Sequence, residues 1–273
     1  MAKQPPGRRD FLKKMTALGA AGIPAAISSN DAAAQHAHHV AQAPAAAHPA
    51  QSITQTRRFL TQAEFDFIEA AAARLIPADE LGPGAKEAGA AWFLDGQLES
   101  SWGTHGRNYR QGPWPDTAVA QQGYQLPHTP QEVYRRGIND TNAYCEKRFG
   151  KTFDKLAGAE QDEVLRELEA GKVDLPGVPA RSFFAMMHIN TIESFFADPM
   201  YGGNRDKVGW KLVGFPGVAA VYTPHIGKYN TPYRVEPVSI ADYGSGRVAI
   251  DDHGHPKHVM LSANDQEKNH GDH

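Results

Sequence analysis

Residues 198–217 read DPMYGGNRDKVGWKLVGFPG. Gly202, Gly203, Gly209, Gly214 and Gly217 punctuate the stretch, with Asn204, Arg205, Asp206 and Lys207 between them. Glycines beside charged residues are what a phosphate cradle requires, because bare backbone N–H groups can approach an anion. The spacing does not suit that chemistry. Neither GxGxxG nor GxxxxGK followed by Ser or Thr occurs, the stretch follows a predicted helix, and no clear helix starts after Lys207. The same residues suit a tight turn in which glycine supplies positive φ. Asn204, Arg205 and Asp206 then point outward or lock the turn through local hydrogen bonds, while Trp210, Phe215 and Pro216 pack it down. A rigid loop of this kind suits protein recognition. Its candidate partner-binding residues are Tyr201, Gly202, Gly203, Asn204, Arg205, Asp206 and Trp210.

Other reactive residue types are sparse. His253, His255 and His258 in HGHPKH, and HAHH at 36–39, have metal-like spacing. A zinc site holds several ligands at about 2.0–2.1 Å with second groups behind them. These histidines lie where few fixed neighbours are expected, so His253, His255 and His258 are weak metal candidates and no metal is expected. A free-standing periplasmic metal-binding or redox protein is the alternative function they would serve. No GxSxG, HExxH or convincing pair of carboxylates is found. Cys145 is the single cysteine, which excludes an intramolecular disulfide, and the absence of CxxCH excludes covalent haem. In an oxidising compartment this thiol is either buried and inert or bonded to another chain as an intersubunit disulfide.

The elements that must position these residues follow from local signals. Residues 7–14, GRRDFLKK, match a twin-arginine export signal through Arg8, Arg9, Phe11 and Leu12. A short Ala/Gly-rich apolar stretch and Ala32-Ala33-Ala34 follow. The expected organisation is a signal over 1–34, an Ala/His/Pro-rich linker over 35–52 and one domain over 53–273. The expected location is the periplasm or the periplasmic face of the inner membrane. A net charge of −3 does not suggest a nucleic-acid binder.

Capping boxes at Thr61/Glu64 and Thr129/Glu132 predict helices over 61–76 and 130–149. Apolar spacing adds helices at 85–99, 159–170 and 180–197. Residues 100–128 form an irregular loop whose Trp102, Tyr109, Trp114 and Tyr124 either anchor a partner or fold over their own core. Short strands are expected at 211–214 and 218–222, with a hairpin pairing 247–250 and 258–261. The fold is therefore expected to be mainly α, with long ordered loops and an irregular, weakly β C-terminal third.

Four stretches resemble the gluconate 2-dehydrogenase subunit 3 family: RLIPADELGPGAKEAG (74–89), QQGYQ (121–125), TPQEVYRRG (129–137) and FFADPMYGGNRDKVGWKLVGFPG (195–217). The resemblance implies a small, noncatalytic subunit of a bacterial membrane-bound sugar or sugar-acid dehydrogenase. Its partners would be a large glucose–methanol–choline-type flavoprotein that binds FAD, a cytochrome c subunit carrying haem, and the twin-arginine translocase. This chain would bind no cofactor itself. It would carry the export signal for the flavoprotein and stabilise it.

Overall fold

The structure is a computed structural model that describes residues 56–114, 122, 124–218 and 222–261. Arg8, Arg9, Phe11 and Leu12, the signal and the linker lie outside the described residues. Helix α1 spans Gln62–Leu75. The Thr61 hydroxyl accepts the Glu64 N–H and Glu64 Oε2 accepts the Thr61 N–H at 2.8 Å, which starts the helix as its capping box requires. Pro77 ends it by forbidding another turn. The chain leading into α1 is held from a distance. Buried Asp95 accepts three successive backbone N–H groups, from Arg58 at 2.7 Å, Phe59 at 3.0 Å and Leu60 at 2.8 Å.

Asp95 lies on α2, Ala90–Glu99. Apolar spacing predicts that this helix starts at 85, but it begins five residues later. Gly89 adopts φ +86°, which breaks the helical path, and a Cβ there would lie 2.8 Å from the Gly202 carbonyl. Helix α3, Pro130–Phe149, has the predicted Thr129 cap, Pro130 in its first turn and Gly150 in the left-handed region at its end. Helices α4, Gly158–Glu169, and α5, Ala180–Phe196, complete the helical body.

These helices enclose one main core. Phe67 packs against Phe153 and Phe183 with ring centroids 4.7 and 6.2 Å apart, and Tyr134 meets Phe183 edge to face. The buried Tyr134 hydroxyl donates to Asn190 Oδ1 at 2.9 Å. Gly137 makes this packing possible, because a Cβ there would lie 2.4 Å from the Phe183 ring. Each large side chain buried here contributes about 1.5–3 kcal/mol.

The last third differs from its expected strands. Residues 211–213 belong to a short helix α6, Val208–Val213, not to a strand. Gly214 at φ +70° ends it. Another short helix, α7, spans Ile240–Gly244 behind a Ser239–Asp242 capping box. Among the described residues β structure is confined to isolated bridges. The hairpin forms in a different register. Ile250 pairs with Pro256, while the 258–261 run turns to the other side, where Met260 pairs with Val235. Asp251 Oδ1 collects the N–H groups of His253 and His255, which closes the turn too early for the longer pairing. Residues 219–221 of the expected 218–222 strand lie outside the described residues; Val218 itself donates to the Val238 carbonyl. The mainly α architecture holds. No helix among the described residues is long and apolar enough to cross a membrane.

Candidate functional site

The glycine-rich stretch leaves the end of α5 through Asp198-Pro199. Asp198 Oδ1 accepts the Met200 N–H at 3.0 Å and opens a single 3-10 turn, Pro199–Tyr201. Its second oxygen, Oδ2, accepts the Ile240 N–H at 2.8 Å, so one carboxylate fixes the turn and the start of α7. Gly203 then passes so close to α5 that a Cβ would lie 2.3 Å from the Ser194 carbonyl. Only glycine permits that approach.

Asn204, Asp206 and Lys207 have φ of +46°, +54° and +59°. Side chains disfavour this region, so the surrounding structure must over-determine it. Three bonds do so. Asn204 Nδ2 donates to the Ala197 carbonyl at 2.8 Å, and Asn204 Oδ1 accepts the Gly209 N–H at 2.8 Å. Lys207 Nζ donates to the Pro237 carbonyl at 2.8 Å and pairs with Asp242 Oδ2 at 2.9 Å. Burial raises the Asp242 carboxyl, but the bonds from Lys207 and Ser239 outweigh it and hold the group below the ordinary carboxylate range. The Arg205 N–H donates to the Ala88 carbonyl at 3.0 Å, which fastens the loop to the connection before α2.

The structure divides the predicted partner-binding residues into two sets. Asn204 is 0% exposed, and Gly203 and Trp210 are buried. The Trp210 indole donates to the Phe196 carbonyl at 2.7 Å, and its ring meets Phe215 at 5.2 Å. These residues shape the loop from within, and Gly202 at φ +96° turns it. Tyr201, half exposed, and Arg205 and Asp206 face outward.

Several outward-facing residues escape a sequence reading. Phe196, Met200, Leu212 and Val213 expose large apolar surface along the same stretch, Val213 by 59%, and Phe215, expected to pack the loop down, is itself 45% exposed. Leu212 and Leu81 also line a cleft of about 80 Å³ with Pro77 and Val208. For Phe196 the available signal is that α5 carries apolar residues on more than one side.

The aromatic loop lies elsewhere. Trp102 packs against the main core. Tyr109 is 86% exposed, and Trp114 stacks beneath the Arg110 guanidinium at 5.9 Å. Tyr124 donates to the His128 carbonyl, and burial pushes its phenol up to about 12.

Cys145 is fully buried in the main core among helical side chains, and burial pushes its thiol up to about 12. The described fold leaves the Cys145 side chain no exposed surface. His255 and His258 line a cleft of about 180 Å³ with His225, Tyr233 and Asp251, and the His253 ring lies 6.4 Å from that of His255. Among the described residues no group of three or more His, Cys, Asp or Glu is arranged to hold a metal ion.

A family model described as gluconate 2-dehydrogenase subunit 3 matches residues 62–217, more than half of the chain. The chain belongs to the gluconate 2-dehydrogenase subunit 3 family. Within this family member the matched span runs from the first residue of α1 to Gly217, where the fastened loop ends. It contains every element of the helical body and excludes residues 222–261. No curated protein and no solved structure matches the chain.

Proposed function

We propose that this chain is the noncatalytic small subunit of a gluconate 2-dehydrogenase-like complex, and that it binds and stabilises an FAD-containing large subunit. The observation that carries this reading is the family match over 62–217, which ends on the loop whose exposed Tyr201, Met200, Val213 and Phe215 surround a rigid frame. A loop locked from inside by Asn204 and Lys207 presents those side chains with little ordering entropy left to lose on association. Large exposed apolar groups on a structured surface are characteristic of association sites.

The chemistry belongs to the partner in this reading. The chain has no dinucleotide fingerprint. Two clefts among the described residues, of about 80 and 180 Å³, fall below the roughly 300 Å³ at which pockets for drug-sized ligands begin. FAD is assigned to the large glucose–methanol–choline-type subunit and haem c to a cytochrome subunit. The twin-arginine pair Arg8-Arg9 directs this chain, with the folded flavoprotein attached, to the periplasmic side of the inner membrane.

The test is the double substitution Arg8→Lys/Arg9→Lys in the native host. The expected result is flavoprotein dehydrogenase activity stranded in the cytoplasm. Normal periplasmic activity would contradict shared export.

A further inference from the structure

The turn that carries the C-terminal histidines is framed by backbone bonds. Asp251 Oδ1 accepts the His253 and His255 N–H groups, both at 2.9 Å, and the Asp251 N–H donates to the His255 carbonyl at 2.8 Å. The Lys257 N–H donates to the Ala249 carbonyl at 2.7 Å. The chain then runs beside 234–236, where the Leu261 N–H donates to the Arg234 carbonyl and the Glu236 N–H to the Val259 carbonyl, each at 3.0 Å. The 3-10 turn Thr223–His225 supplies a third segment, with the His225 ring 4.8 Å from that of Tyr233. Together these segments border the cleft of about 180 Å³ lined by His225, Tyr233, Asp251, His255, Lys257 and His258.

The lining holds donors whose bonding capacity is unused. Both ring nitrogens of His258 are shut off from solvent and have no hydrogen-bond partner among the described residues. Polar groups so enclosed are nearly always paired, because an unpaired one bears its desolvation cost without a compensating bond. Among the described residues the Tyr233 hydroxyl and the Lys257 ammonium form no hydrogen bond or ion pair either. Burial, with the Tyr222 phenol adding to it, pushes the Tyr233 phenol up, so the group stays a hydroxyl and can donate. The Lys257 ammonium has three donors and no acceptor.

The one acid in this lining is already engaged. Asp251 Oδ1 holds two N–H groups, and Oδ2 lies 3.5 Å from His255 Nδ1. The N–H of His255, and after it that of His253, holds the Asp251 carboxyl below its ordinary range. The free groups are therefore chiefly donors, and they sit on three separate segments. A tetrahedral oxyanion, whose oxygens point in several directions, suits them better than a planar carboxylate. A metal cation fits poorly, since Lys257 puts a positive charge in the lining and no three ligands are arranged for one among the described residues.

We propose that this cleft binds a small tetrahedral oxyanion, phosphate or sulfate, with His258, Tyr233 and Lys257 donating to its oxygens. The His258 ring turns about its Cβ–Cγ bond to aim one nitrogen at the anion, which ends its unpaired state. The site lies wholly outside the family-matched span 62–217 and does not depend on the small-subunit reading.

Isothermal titration of the purified full-length chain with sodium phosphate, and separately with sodium sulfate, at constant ionic strength tests it. The expected result is one site with a Kd below about 1 mM for at least one of the two ions, the tighter of them naming the ligand. Lys257→Met, at an exposed position, and Tyr233→Phe should each weaken binding several-fold, and His258→Phe about tenfold. Without anion, His258→Phe should melt no lower than the unaltered chain, because it removes the unpaired nitrogens. Absence of saturable binding would overturn the proposal. So would equal binding by Lys257→Met and His258→Phe, or the same response to sodium acetate. Binding of zinc in place of either anion would also overturn it, in favour of a metal site.

Discussion

Asn204 Oδ1 accepts the Gly209 N–H at 2.8 Å while the side chain of Asn204 is wholly buried. The bond does two jobs. It satisfies an N–H in the first turn of α6, which begins at Val208, and it fixes Asn204 in the left-handed region at φ +46°. The glycine-rich loop is thus held by a side chain with no exposed surface. Asn204→Ala should remove both of its carboxamide bonds and lower stability by about 2–4 kcal/mol. Chemical denaturation of the purified chain measures this. A loss below about 0.5 kcal/mol would mean that the loop does not depend on Asn204.

Asp206 also sits at positive φ, but it faces solvent. Asp206→Val places a β-branched side chain in that conformation and should cost about 1–2 kcal/mol. Asp206→Gly should leave the melting temperature unchanged or raise it. A melting temperature that falls in Asp206→Gly and is unchanged in Asp206→Val would remove the assigned backbone strain.

Lys207 and Asp242 link the helical body to the C-terminal region across 2.9 Å. Asp242 is held below its ordinary range in the fold, so its contribution is present above the unfolded carboxylate value of about 4. That contribution is lost as pH falls through the lower folded value. Acid unfolding should therefore flatten at low pH in Lys207→Met relative to the unaltered chain, because the variant has less of this linkage to lose. Parallel acid titrations of the two proteins would contradict the assigned ion pair.

Asp95 gathers the N–H groups of Arg58, Phe59 and Leu60 and so decides where the chain enters α1. Asp95→Ala should cost about 2–4 kcal/mol, since three buried or partly buried donors lose a charged acceptor together. Amide exchange at 58–60 should accelerate well before the helices unfold. Unchanged exchange there would rule out the anchoring role.

Cys145 is enclosed by the main core with its thiol pushed up to about 12. It should resist thiol reagents in the native protein and react fully in denaturant. Native and reduced samples should migrate alike on gels. A slower band that reduction abolishes would show the thiol bonded to another chain.

The sequence revealed elements whose signals are local. Thr61 with Glu64, and Thr129 with Glu132, mark helix starts because a capping box is complete within four residues. Elements that depend on distant contacts were hidden. Residues 211–214 were expected as a short strand, yet 211–213 close a helix that begins at Val208, where Asn204 accepts the Gly209 N–H and Trp210 is packed down. The start of α2 moved because Gly89 must meet Gly202, more than a hundred residues away in the chain. His253, His255 and His258 were only weak metal candidates, and where their rings point was not legible, since that depends on the turn at Asp251, whose Oδ1 accepts the N–H groups of His253 and His255. Within the loop, residue type identified a special turn. It could not tell which residues face inward, since Asn204 and Arg205 are adjacent and equally polar.

The central claim is association with a flavin-bearing subunit, and gentle detergent extraction of the tagged chain from its own host tests it most directly. Flavin absorbance and subunit stoichiometry are measured on the purified material. The account predicts one flavin-bearing large subunit per copy of this chain. A monomeric, flavin-free chain under the same conditions would contradict it.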